Sequence, residues 1–94
     1  MNIRFKFFGE FRELVGQEEM ILEVAPGGGL LEAIRVLMGS HPQLAGRILD
    51  ASGLLGPYAL AFLNGRNTRT LGQADPPLSE GDTVILTPTV GGGG

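Results

Sequence analysis

The sequence predicts an α+β domain, a mixed sheet with one main helix packed across it, in the order β-β-α-(α)-β-β-β. Three observations predict it. Alternating runs of β-branched and aromatic residues open and close the chain. One segment between them has helical periodicity instead. Clusters of Gly, Pro, Asn and Asp separate the runs. A length of 94 residues, with 43% hydrophobic and 18% charged side chains, fits a single globular domain. Its expected extent is 1–88, followed by a flexible glycine-rich tail over 89–94.

Each element has its own signal. Ile3, Phe5 and Phe7 alternate with Arg4, Lys6 and Phe8, and Gly9 ends this first strand. After Gly16, Met20, Leu22 and Val24 share one face of a second strand, so a loop of about ten residues makes a long hairpin. Ala25-Pro26-Gly27-Gly28-Gly29 breaks the chain. Leu30, Ala33, Ile34 and Leu37 then follow an i, i+3, i+4, i+7 spacing, with Gly28 or Gly29 as N-cap and Gly39 as the terminating residue. His41-Pro42 opens a second short helical turn carrying Leu44, Ile48 and Leu49. Residues 58–63 are apolar on both faces, as in a central strand. Asn64-Gly65 is a tight-turn signal, Asn67 to Thr70 a short fourth strand, and Thr83 to Thr87 the last strand, stopped by Pro88. A helix across the sheet buries one face of each in a two-layer core. If the last strand pairs beside the first, the fold is a β-grasp, or ubiquitin-like, domain.

Composition removes several kinds of chemistry. With no Cys there is no disulfide, cysteine nucleophile or zinc–thiolate site. His41 is the lone histidine and reads as a surface turn residue. A net charge of −3, with Lys6 the single lysine and six scattered arginines, argues against nucleic acid. No apolar run approaches the roughly 18 residues of a membrane span and no signal peptide opens the chain, so a cytoplasmic protein without a membrane partner is expected. No metal site and no catalytic site of its own are expected. The expected role is to bind or carry something.

Glycine is the outlier, at 16 residues, and Gly91, Gly92, Gly93 and Gly94 stand together at the end of the sequence. Four residues without Cβ are either a frayed end or a thread that can enter a narrow channel and present a carboxylate. Glu80 and Asp82 around Gly81 read as turn formers rather than an acid–base pair. Gly27 to Gly29 lacks the Lys and Ser/Thr of a phosphate loop and reads as a turn with a helix cap. Phe8 points away from the helix face, where it is either half-buried at a bulge or part of a protein-binding patch. Phe11 is grouped with it, and Arg12 either steers a partner or pairs with Glu10 or Glu13.

Nearly the whole chain resembles the MoaD and ThiS sulfur-carrier family, in the archaeal-type branch that includes small archaeal modifier proteins. The matching pieces are Phe8-Gly9-Glu10-Phe11-Arg12-Glu13-Leu14, Leu30-Leu31-Glu32-Ala33-Ile34, Asn64-Gly65-Arg66-Asn67, residues 77–84 and the glycine end. The resemblance implies a carrier whose C-terminal glycine is adenylated by a MoeB/ThiF-like enzyme that uses ATP, and is then converted to a thiocarboxylate. It implies the small subunit of molybdopterin synthase, which gives its sulfur inside a MoaE-like large subunit. The alternatives are a lysine-modifying ubiquitin-like protein, or a carrier for thiamin, cysteine or tRNA thiolation. Carried onto this sequence, Gly94 (Gly93 if trimmed) is the covalent site. Phe8, Phe11, Arg12, Arg66, Pro88 and Val90 are partner-binding positions. The family ending has two prolines, where this chain has Pro88 and then Thr89, and Gly94 is one residue extra.

Overall fold

Two hairpins share one central strand in the computed structural model, which describes residues 1–89. The strands are β1 (Asn2–Phe7), β2 (Glu19–Glu23), β3 (Ala59–Leu63), β4 (Arg66–Asn67) and β5 (Thr83–Pro88), and the helices are α1 (Gly9–Val15) and α2 (Leu30–Ser40). The sheet order is β2-β1-β5-β3-β4. β1 runs antiparallel to β2 and parallel to β5, with Phe5 opposite Met20 and Val84. β5 runs antiparallel to β3, with Leu86 opposite Ala61. The last strand does lie beside the first, and the β-grasp follows. β5, rather than β3, is the middle strand.

Alternation fixes which face meets the helices. Ile3, Phe5, Phe7, Val84, Leu86, Ala59 and Ala61 are buried, and they form one cluster with Leu30, Ile34 and Leu37 of α2. The Phe5 and Phe7 rings stack along β1 with centroids 6.2 Å apart. The outer edge of β3 is closed beyond the two residues of β4. The Thr68 hydroxyl donates to the Ala61 carbonyl, and the Arg69 guanidinium donates to the carbonyls of Gly56 and Ala59. These donors cover carbonyls that an open edge would leave to another chain. Residues 68–70 are thus a 3₁₀ turn, and the fourth strand is only Arg66–Asn67.

Three local expectations change. The connection after β1 is a helix, not a loop. Phe11 and Val15 are one turn apart and both buried, which gives α1 a packed face. The α2 helix runs through Gly39 and ends at His41, whose N–H donates to the Leu37 carbonyl while the Ser40 hydroxyl donates to the same oxygen. The second helical turn is a three-residue 3₁₀ segment, Pro42–Leu44, although Ile48 and Leu49 beyond it are buried as expected. The Asn64-Gly65 turn is as read, with positive φ at both residues and Leu63 opposite Arg66.

The start of α2 explains its missing Ser or Thr cap. Gly29 is the N-cap and contributes no side chain. The cap arrives from 44 residues away, where Asp75 Oδ1 accepts from the Leu31 N–H at 2.8 Å. The Pro76 carbonyl accepts from Leu30 at 2.9 Å. A Cβ on Gly29 would stand 2.5 Å from that carboxylate oxygen, so a larger residue here would push the cap aside. Asp75→Ala is expected to cost about 1 kcal/mol. Gly29→Ala is expected to cost about 1–2 kcal/mol by expelling the carboxylate, and much less when Asp75 is already Ala. Urea denaturation of the two single variants and the double variant checks the coupling.

Candidate functional site

The chain enters its tail from the middle of the sheet. β5 runs parallel to β1, so Pro88 reaches the end of the sheet where β1 turns into α1. There Gly9 has φ +56°, and a Cβ on it would sit 3.0 Å from Pro88 Cγ. A side chain at Gly9 would be strained and would push against Pro88 as well. Phe8 bridges strand and helix. Its N–H donates to the Leu86 carbonyl at 3.1 Å, and its carbonyl accepts from Phe11 at 3.2 Å.

One residue further on, Thr89 is held twice. Its N–H donates to the Tyr58 carbonyl at 3.2 Å, and its hydroxyl donates to the Pro57 carbonyl at 3.1 Å. Around this root lies a hollow of about 560 Å³ lined by Glu10, Ala45, Gly46, Arg47, Tyr58, Pro88 and Thr89. Arg47 and Glu10 form an ion pair across it at 3.4 Å, with both side chains about half exposed. Such a pair contributes little to stability, on the order of 0.2–1 kcal/mol.

The sheet face away from the helices meets this root. Arg4, Lys6, Thr83, Ile85, Thr87, Leu60 and Phe62 alternate with the buried residues and share that face. Phe62 stands opposite Ile85, and Lys6 is the next neighbour of Ile85 across the β1–β5 pair. Phe8 continues the exposed series of β1 and is 48% exposed, and Tyr58, at the other side of the root, is 61% exposed.

Of the sequence-predicted positions, Phe8 and Pro88 come together at the root. Arg12 sits on α1 with a 3.7 Å ion pair to Glu18, rather than to Glu10 or Glu13. Phe11 is a correction: it is completely buried in the core and has no surface to offer a partner. Arg66 is not brought to the root either. It pairs with Leu63, four residues along β3 from Ala59, which stands opposite Pro88, and so lies about 13 Å away along the sheet. Val90, Gly91, Gly92, Gly93 and Gly94 lie outside the described residues. Tyr58, Arg47 and the Thr89 hydroxyl are root features that the sequence reading did not single out. The pairing of Thr89 with Tyr58 depends on a contact 31 positions apart, and only the exposed Tyr58 beside a proline hinted at it.

Other acidic groups are used structurally. Asp82 accepts from the Ser79 N–H at 2.7 Å and from the Asn64 amide at 3.0 Å, and Glu80 accepts from the Asn2 N–H at 2.8 Å. Among the described residues no cluster of acidic or histidine side chains could hold a metal ion, and no helix is long and apolar enough to cross a membrane.

Phe11→Ala is therefore expected to destabilise the domain by about 3–5 kcal/mol. Phe8→Ala is expected to change stability by less than about 1 kcal/mol. Chemical denaturation of both variants separates the core phenylalanine from the surface one.

Comparison with known proteins agrees with the geometry. A family model described as the ThiS family matches residues 5–93. Small archaeal modifier protein 3 of Haloferax volcanii is 32% identical over 93 residues, covering 99% of this chain and 100% of that one. A Haloferax volcanii protein solved in solution superposes with a TM-score of 0.86 at 31% identity, over 96% of this chain and 84% of that chain. Two more distant structures share the fold. One is a Pyrococcus furiosus chain provisionally assigned as molybdopterin converting factor subunit 1, with TM-score 0.77 and 23% identity over 96% and 99% of the two chains. The other comes from the BexX/CysO complex of Amycolatopsis orientalis, with TM-score 0.76 and 20% identity over 94% and 96%.

Proposed function

The chain belongs to the ThiS family of ubiquitin-like sulfur carriers and modifiers, and from that membership we propose that the C-terminal carboxylate of Gly94, or of Gly93 after trimming, is its reacting group. The observation that supports this most is the root. A fixed point at Thr89, on the end of the central strand, is followed by five residues, four of them glycine. Five residues can reach at most about 17 Å, far enough to enter a partner's active site while the folded body stays outside.

The chemistry requires an activated carboxyl. A carboxylate oxygen attacks the α-phosphorus of ATP on a MoeB/ThiF-like enzyme, pyrophosphate leaves, and an acyl adenylate forms. A sulfide-type nucleophile then attacks the acyl carbon, and AMP departs with the carbon–oxygen bonding pair. The thiocarboxylate that remains is a sulfur nucleophile, and its formation calls for no cysteine in the carrier. Inside a MoaE-like large subunit of molybdopterin synthase its sulfur attacks a carbon of the pterin precursor and displaces an oxygen leaving group with its bonding pair. Water then adds to the acyl carbon of the resulting thioester, the acyl carbon–sulfur bond breaks, and the glycine carboxylate departs while the sulfur stays on the pterin. The exposed face with Phe8, Leu60, Phe62 and Ile85 is the docking side in this reading. In the same reading Arg12 of α1 contacts the partner and Val90 enters with the tail.

A second reading has its own support, because the relative that matches over 93 residues is named a modifier protein. The same acyl adenylate would be attacked by a lysine amine on a target, with AMP leaving and an isopeptide forming. Both readings require the same activation.

Incubated with ATP, a sulfur donor and a ThiF-like enzyme, the chain is expected to gain the mass difference between sulfur and oxygen. Deleting Gly93 and Gly94 is expected to abolish the gain and leave the denaturation midpoint unchanged. An unaltered intact mass in the full chain would overturn the carrier reading. Reductant-resistant conjugates in cell extract, lost on the same deletion, would establish the modifier reading.

A further inference from the structure

We propose that the Thr89 hydroxyl is a positioning group for the tail, fixing the direction in which the glycines leave the sheet. The inference rests on the reading of the tail as the reacting segment and adds to it how that segment is aimed.

β5 ends at Pro88, which has no N–H to donate. Pro88 rests against Gly9, where a side chain would intrude at 3.0 Å. Thr89 then makes two bonds to successive carbonyls of the segment leading into β3, N–H to Tyr58 at 3.2 Å and Oγ1–H to Pro57 at 3.1 Å. The first continues the β3–β5 ladder by one residue beyond Ala59 and Pro88. The second is a side-chain bond that valine or alanine at this position could not make. Glycine immediately after Thr89 would give the backbone no side-chain restraint, and one valine separates the two.

The resemblance described above places a second proline where this chain has Thr89. A proline would stiffen the root by restricting φ and would donate nothing. Thr89 reaches the same end by another route, with two donors to fixed carbonyls. The physical gain is preorganisation: ordering the root before docking removes an entropic cost from the encounter with the activating enzyme. Thr89 touches no reacting atom in this scheme and acts only through where the tail starts.

The test compares the full-length wild type with Thr89→Val, which keeps shape and backbone N–H but removes the hydroxyl, and Thr89→Ser, which restores the hydroxyl. The readouts are steady-state thiocarboxylation by the ThiF-like enzyme, amide hydrogen exchange at Thr89, and the thermal midpoint. Thr89→Val is expected to raise KM for the carrier by about 5-fold, with kcat within about twofold, because a seated tail reacts normally. It is also expected to speed exchange at the Thr89 amide, and Thr89→Ser is expected to recover most of both effects. An unchanged KM in Thr89→Val, or a valine effect that serine leaves uncorrected, would overturn the proposal. A loss of kcat together with a fall in thermal midpoint would do the same, since it would show a merely structural role. If the wild type itself takes up no sulfur, it is the carrier reading that fails. The exchange rates then stand alone, and equal rates in wild type and Thr89→Val reject the pin.

Discussion

The parallel pairing of β1 with β5 is the contact on which the rest of the structure depends. Each strand has another partner, β2 for one and β3 for the other, so the pair joins two hairpins into one sheet. It brings Phe5 and Phe7 beside Val84 and Leu86, and that apolar floor is what α2 covers. The direction of pairing matters as much as its existence. Because the two strands run the same way, the end of β5 arrives where β1 enters α1, and Gly9, Phe8 and Pro88 become neighbours. An antiparallel pair would have sent the tail out at the opposite end of β1, away from α1.

Periodicity made most of this legible in the sequence. Ile3, Phe5, Phe7, Leu30, Ile34 and Leu37 are where their spacing placed them, because alternation and helical repeat depend on local geometry alone. The turn at Asn64-Gly65 was legible for the same reason. The α1 helix was not. It is seven residues long, begins at a glycine, and carries Glu10, Arg12 and Glu13 among its few apolar positions, so polarity concealed the Phe11–Val15 repeat. That omission misplaced Phe11 as a surface group. The Asp75 cap and the Thr89 root were illegible for a different reason. Each joins residues more than thirty positions apart, and no local pattern marks a carboxylate that will cap a distant helix.

The molecule separates strength from accessibility. Its large buried side chains lie between sheet and helices, whereas the surface around the tail root is made of half-exposed groups: Phe8, Tyr58, and the Arg47–Glu10 pair. Substitutions there are expected to have little effect on folding, and substitutions at Phe5 or Phe11 a large one. Glycine is divided in the same way. Gly29 leaves room for the Asp75 carboxylate, and Gly9 combines a left-handed φ of +56° with contact against Pro88. The four glycines after Val90 lie outside the described residues and acquire their meaning from the carboxyl chemistry proposed for them.

Placing the last of the five strands in the middle also has a consequence for biosynthesis. As the chain leaves the ribosome, the β1–β2 and β3–β4 hairpins can each form, but neither has its neighbour until β5 has been made. A chain broken off before residue 83 would keep two unpaired strand edges and an uncovered apolar floor, features that expose a polypeptide to aggregation and proteolysis. Synthesis of the segment that leads directly into the glycine tail is thus the event that closes the domain. Folding of the domain therefore waits until translation has carried the chain through Pro88.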